Sequence, residues 1–305
     1  MSEQEPHSIL YFGETREHWW NEDYLGLIAA RTQLGCRQKV LDVGTGFGHF
    51  ARALLPHLRP GVKLVGLDPE PVSVAEAERR TSRFVKLRGL DAHLDFQVGR
   101  AEALPFADAH FDAVVAQTVL IHLADPVVAL AEMARVLAPG GLLLLAEPNN
   151  MAGNVAQLIL GPELDLDATL RIAAFEMRCE LGKAKLGLGF NSLGESLPRL
   201  LDPALFAGVR AWQWDRTLVL RPPYASAEAQ AEISERRDFH RQGVFIWPRA
   251  DAERYYLAGG GTPAAFEADY EFGLTAEGAW LARVDRGEGG SLSAGVNYLV
   301  AATRR

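Results

Sequence analysis

The run Val40-Leu41-Asp42-Val43-Gly44-Thr45-Gly46-Phe47-Gly48-His49-Phe50 sets a carboxylate directly ahead of three alternating glycines. Glycine at 44, 46 and 48 keeps side chains off a bound group and permits the positive φ angles of a tight turn. The apolar residues before the turn predict a buried strand from Lys39 to Val43, and a helix follows from His49. That helix offers unpaired N–H groups and a positive dipole end to a polar or anionic ligand. The spacing G-x-G-x-G differs from the G-x-G-x-x-G of a pyrophosphate cradle, and Asp42 would repel a pyrophosphate but attract an ammonium. A second acid, Asp68, ends the next apolar run, Lys63–Leu67. There an α/β sheet places a carboxylate to accept hydrogen bonds from two ribose hydroxyls. An ammonium partner, a glycine floor and a ribose acid together suit S-adenosylmethionine.

On these motifs, residues 37 to about 150 resemble the class I S-adenosylmethionine-dependent methyltransferases, especially the small-molecule group called type 11 or UbiE-like. The resemblance implies an α/β fold: a Rossmann-like, seven-stranded, mostly parallel sheet with helices on both faces. It implies that Asp42, Gly44, Thr45, Gly46 and Gly48 hold the cofactor's methionine end, while Asp68 and Pro69 hold its ribose. The segment Gly99-Arg100-Ala101-Glu102-Ala103-Leu104-Pro105-Phe106 resembles the family's adenine-binding turn. Relatives usually carry Asp where this chain has Arg100, and an arginine accepts no hydrogen bond. The adenine is therefore expected to be read by the backbone at Ala101 and Glu102 or by the Glu102 carboxylate. The fourth strand, Phe111–Gln117, opens into Thr118-Val119-Leu120-Ile121-His122, a stretch resembling the motif across the methionine side. Gln117, Thr118 and His122 then border the cofactor.

The fifth strand, Leu142–Ala146, reads as buried on both faces and ends in Glu147-Pro148-Asn149-Asn150. Glu147 is the preferred proton acceptor, followed by His122 and then His240, since carboxylate and imidazole can both serve as bases near neutrality. The competing reading for the polar cluster is helix capping, and for His122 packing or capping.

Around this core the chain divides into an N-terminal helical lid (1–36), the cofactor core (37–150), a helical insertion (151–190) and a core continuation (191–222), in which 191–201 resemble the family's late helix and 209–214 with 217–220 suit the sixth strand. A helical cap insertion (223–289) and a final strand (290–305) complete it, the resemblance placing that strand antiparallel beside the fifth. The lid predicts a helix from about Arg16 to Leu34, with Trp20, Tyr24 and Ile28 as its buried stripe and Tyr11 as a cofactor contact. The insertions carry an aromatic load that includes Phe239, Phe245, Trp247, Tyr255, Tyr256, Phe266 and Tyr270. They either form an α-helical cap enclosing an apolar pocket or pair two copies as a homodimer, whose interfaces are also rich in such residues.

With 305 residues, 48% of them apolar, the chain can bury a large core. The net charge of −8 disfavours nucleic acid and anionic membranes as partners. Two distant cysteines, Cys36 and Cys179, make neither a disulfide framework nor a thiolate metal site, so no metal is expected. The polar, acidic start and the lack of a long apolar run suggest a soluble cytoplasmic protein. The expected activity is methyl transfer to a small-molecule acceptor. Three other readings stand beside it: a silent cofactor-binding scaffold, an NAD-dependent oxidoreductase on the same sheet, and a methyltransferase acting on RNA or protein.

Overall fold

The computed structural model describes residues 13–159, 165–293 and 295–305. Five parallel strands form the centre of one sheet: β1 (Lys39–Val43), β2 (Val62–Asp68), β3 (Ala92–Val98), β4 (Phe111–Gln117) and β5 (Leu137–Pro148). Two more, β6 (Phe206–Gln213) and β9 (Asn297–Arg304), complete seven strands in the order β3-β2-β1-β4-β5-β9-β6. As expected, β9 runs antiparallel to β5, with Leu144 opposite Ala301. The order reverses between β1 and β4, and that switch point is where an open α/β sheet leaves a crevice beyond its strand ends.

Alternation along the central strands divides the core in two. Leu41, Val43, Val114, Ala116, Leu143 and Leu145 pack on one face. Val40, Ala113, Val115, Leu142 and Leu144 pack on the other. The helices that cover these faces are α1 (Glu22–Thr32), α2 (His49–Leu54), α3 (Pro71–Arg88) and α4 (Pro126–Val136). Asp125 caps α4 by accepting from the Val127 amide at 3.0 Å, with Pro126 preset for the first turn.

The remaining helices are α5 (Asn150–Ile159), α6 (Leu166–Lys185), α7 (Leu197–Leu200), α8 (Ala227–Arg241), α9 (Arg249–Ala258) and α10 (Pro263–Asp285). Helices α6, α9 and α10 share a separate aromatic core of Phe175, Trp247, Tyr255, Tyr256, Phe266 and Tyr270. Gly182 lets α6 lie against α9, since a Cβ there would sit 1.7 Å from the Tyr255 carbonyl oxygen. The aromatic insertions thus have a core of their own, apart from the sheet.

Three elements differ from the sequence reading. The helix expected over Arg16–Leu34 is broken into a 3-10 turn, Glu14–His18, and α1, because Asn21 is extended at the helix entry and Trp19 and Trp20 fill the joint by packing on Trp214. The late helix expected over 191–201 shrinks to a 3-10 turn, Gly194–Ser196, and the single turn α7. Gly194 is pressed against the Glu147 and Pro148 carbonyls, and Pro198 enters at once. Finally, Thr217–Leu220 does not extend the sixth strand. Its residues Leu218–Leu220 (β7) pair with Ser291–Ser293 (β8) in a separate ribbon, so the last strand begins only at Asn297. Among the described residues no helix is long and apolar enough to cross a membrane.

Candidate functional site

The glycine turn closes against the end of β2. Gly44, Gly46 and Gly48 take φ of +66°, +51° and +76°, which only glycine adopts without strain. The Thr45 amide donates to the Leu67 carbonyl at 2.9 Å, and the Gly46 amide donates to Asp68 Oδ2 at 2.9 Å. Asp68 Oδ1 accepts from the Glu70 amide at 3.0 Å. A carboxylate has about four lone-pair sites, so both Asp68 oxygens keep capacity for two further donors. Asp42 is 1% exposed and accepts from the Thr45 hydroxyl at 2.7 Å. Burial pushes its carboxyl up to about 7 against the pull of that bond.

One strand over, the turn 99–106 is locked from beneath. The Gly99 amide donates to the Asp68 carbonyl at 3.0 Å. The Leu104 amide donates to Glu132 at 2.8 Å, and Arg135 donates to the Leu104 and Phe106 carbonyls at 2.9 and 2.8 Å. Ala101 is buried, Pro69 is exposed, and Arg100 turns outward to pair with Glu102 at 2.9 Å. At the end of β4, Thr118 holds φ +53°, an outlier for a β-branched residue. Its amide donates to the Ala146 carbonyl at 2.9 Å and its hydroxyl to the Gln117 carbonyl at 2.7 Å.

Asp42, the glycine turn, Asp68, Arg100–Glu102, Gln117 and Thr118 therefore line one edge of one sheet, at the carboxyl ends of β1, β2, β3 and β4. Residues 41–145 match the family model described as "Methyltransferase domain". Over 110 residues the chain is 40% identical to a demethylmenaquinone methyltransferase of Thermus thermophilus, covering 36% of this chain and 47% of that protein. Residues 41–145 are thus similar to the class I S-adenosylmethionine-dependent methyltransferases of the UbiE-like group. The uncharacterized methyltransferase YcgJ of Bacillus subtilis is 34% identical over 123 residues, which are 40% of this chain and 46% of YcgJ. The chain thus spans about half the length of either relative. The fold of the [4+2]-cyclase SpnF covers 92% of this chain and 80% of its own, with a TM-score of 0.50 at 21% identity, a likeness of fold alone.

The N-terminal segment lies over the open edge of the methyltransferase domain. Trp20 donates its indole N–H to Gln117 Oε1 at 3.2 Å and stacks on Phe50, ring centroids 5.3 Å apart. Arg16 donates to the Thr118 hydroxyl at 3.2 Å and lies 4.3 Å from the Trp19 ring. Burial pulls the Arg16 guanidinium down to about 10, with the Glu235 charge opposing. Thr15 donates to Glu235 at 2.6 Å, tying this segment to α8. Nothing in the spacing of Thr15-Arg16-Glu17 pointed to these contacts, and the sequence reading missed Arg16. Tyr11, the expected lid contact, lies outside the described residues.

The three expected proton acceptors are not brought together. Glu147, fully buried, accepts from the Val119 and Leu120 amides through Oε1, both at 2.9 Å, and its Oε2 has no partner among the described residues. Burial pushes it up to about 7 against those amide bonds. His122 is exposed on the 3-10 turn Leu120–His122 that Glu147 supports. His240 lies on α8, where its ring is opposite Gly278 of α10.

Proposed function

We propose that this chain transfers a methyl group from S-adenosylmethionine to a small-molecule acceptor held between the sheet edge and the helical cap. The observation that carries the reading is Asp68: a buried carboxylate at the tip of β2, fixed by two backbone amides and retaining acceptor capacity beside a turn of three left-handed glycines. These residues fit the cofactor. Asp68 would take the ribose hydroxyls, the side-chain-free turn would lie under the methionine portion, and the backbone of Ala101 and Glu102 would meet the adenine. Gln117, Thr118 and His122 would border the methionine end, with Asp42 bracing the turn through Thr45 and offering a negative charge to the ammonium.

When bound, S-adenosylmethionine supplies a sulfonium-activated methyl group. The protein then has to align an acceptor atom opposite the leaving sulfur and exclude water, and such positioning can supply most of the acceleration of an in-line displacement. Trp20, Arg16 and the cap would exclude water from that edge. A base acts only where the acceptor sheds a proton near the transition state. Glu147, with one uncommitted oxygen at the end of β5, precedes His122 and His240 as the group to receive it. The net charge of −8 keeps nucleic acid outside the proposed substrates. Incubation with methyl-labelled cofactor and a fractionated cell extract tests the reading. Label should enter the low-molecular-mass fraction, and label confined to RNA or protein would contradict it.

A further inference from the structure

Helix α6 carries Glu176, Glu180 and Lys183 at i, i+4 and i+7, on one face, and all three are buried. That face does not look at the aromatic core, which Phe175 and Cys179 of the same helix help to fill. It looks at the end of the sheet. Lys183 Nζ donates to the Ile121 carbonyl at 3.3 Å and to Asn191 Oδ1, and the Asn191 amide donates to Glu180 Oε2 at 3.1 Å. Ile121 belongs to the 3-10 turn Leu120–His122, whose entry is held from the sheet by Glu147. Glu176 takes a hydrogen bond from Asn154 of α5, the helix that starts directly after β5. The buried face of α6 therefore meets the chain just beyond β4 and β5.

The charges there do not balance. The Lys183 charge offsets that of Glu180. Glu176 is left with the neutral Asn154 amide, and its Oε2 has no partner among the described residues although the residue is only 6% exposed. A buried carboxylate without a cation is costly, so it takes up a proton or finds a positive charge. Resting on the methyltransferase reading above, we propose that this face of α6 is the recognition wall for the methyl acceptor, that the acceptor is a protonated amine, and that Glu176 pairs with its ammonium. An alcohol could offer a hydrogen bond but no counter-charge, and an anionic acceptor would be repelled.

The same contact serves the chemistry. With an amine acceptor, Glu176 takes over from Glu147 as the proton's destination, and the ammonium gives it one N–H proton. The freed nitrogen lone pair forms the new N–CH3 bond while the S–CH3 bond breaks and its electron pair stays on sulfur, leaving a neutral thioether. Burial and the neighbouring Glu180 charge raise the proton affinity of the Glu176 carboxyl, so it retains the proton once the ammonium charge beside it is spent.

The test uses the full chain saturated with S-adenosylhomocysteine and labelled with carbon-13 at the glutamate carboxyl carbon. Ethylammonium chloride is titrated in at constant ionic strength, with ethanol as the neutral counterpart. A saturable shift of the Glu176 resonance with ethylammonium, absent with ethanol and lost in Glu176→Gln while S-adenosylhomocysteine still binds, is the expected result. Glu176→Asp, which keeps the charge one methylene short, should bind ethylammonium about ten-fold more weakly, and it decides the matter if the glutamine variant does not fold. No ethylammonium response in the loaded wild type, or an undiminished one in these variants, overturns the amine assignment. Failure of the wild type to bind S-adenosylhomocysteine overturns instead the reading beneath it.

Discussion

Glu147 separates two roles that one carboxylate can play. Its Oε1 carries two backbone amides of the turn after β4, a duty that glutamine can also perform. Glu147→Gln should therefore retain stability near that of the wild type. Glu147→Ala strands two buried N–H groups and should cost about 2–4 kcal/mol in urea unfolding. The pH dependence has a definite sign. The folded carboxyl sits at about 7, above its ordinary 4.5, so in that interval the unfolded chain binds fewer protons. Its contribution to stability falls as pH rises from about 4.5 to about 7 and levels off above. Thermal melts across that range should show Glu147→Gln gaining on the wild type. At this scale the sequence was informative about position, setting Asp42, Asp68 and Gln117 at or beside the carboxyl ends of β1, β2 and β4. It was silent on Arg16, whose meaning comes from Thr118 and Glu235, 102 and 219 residues away along the chain.

Among elements, the glycine turn is the most tightly specified. A Cβ on Gly44 would lie 2.4 Å from Val119 Cγ2, and the backbone there is left-handed. Gly44→Ala should cost about 2–4 kcal/mol in denaturant unfolding and move the turn that Glu147 holds. Trp20 joins the N-terminal segment to the strand edge through Gln117 and Phe50. Trp20→Ala should destabilise by about 3 kcal/mol and weaken S-adenosylhomocysteine binding measured by calorimetry. The sheet was legible because buried parallel strands and capped helices are local patterns, as in Leu142–Ala146 and Asp125-Pro126. The 3-10 turns, the β7–β8 ribbon and the short α7 were not, because Trp214, Glu147 and Ser291–Ser293 impose them from a distance. The charged face of α6 was present in the sequence as the spacing 176, 180, 183. Its meaning comes from Ile121 and Asn191, which only the fold sets against it.

For the whole molecule, the two kinds of core matter most. The sheet with its flanking helices forms one body of apolar packing, and α6, α9 and α10 form an aromatic one beside it. Gly182 is where α6 meets α9, so Gly182→Val should unseat the cap. A Trp247 signal lost below the main transition, with far-ultraviolet helicity partly retained, would mark that loss. The central claim is narrower and concerns the sheet edge. The measurement that tests it most directly is calorimetric titration of the wild type and Asp68→Ala with S-adenosylhomocysteine, with NAD as control. Loss of two charge-assisted hydrogen bonds to the ribose predicts saturable wild-type binding, an affinity lower by about a hundred-fold or more in Asp68→Ala, and no binding of NAD. Equal affinity in the two proteins, or no wild-type binding at all, would contradict the account.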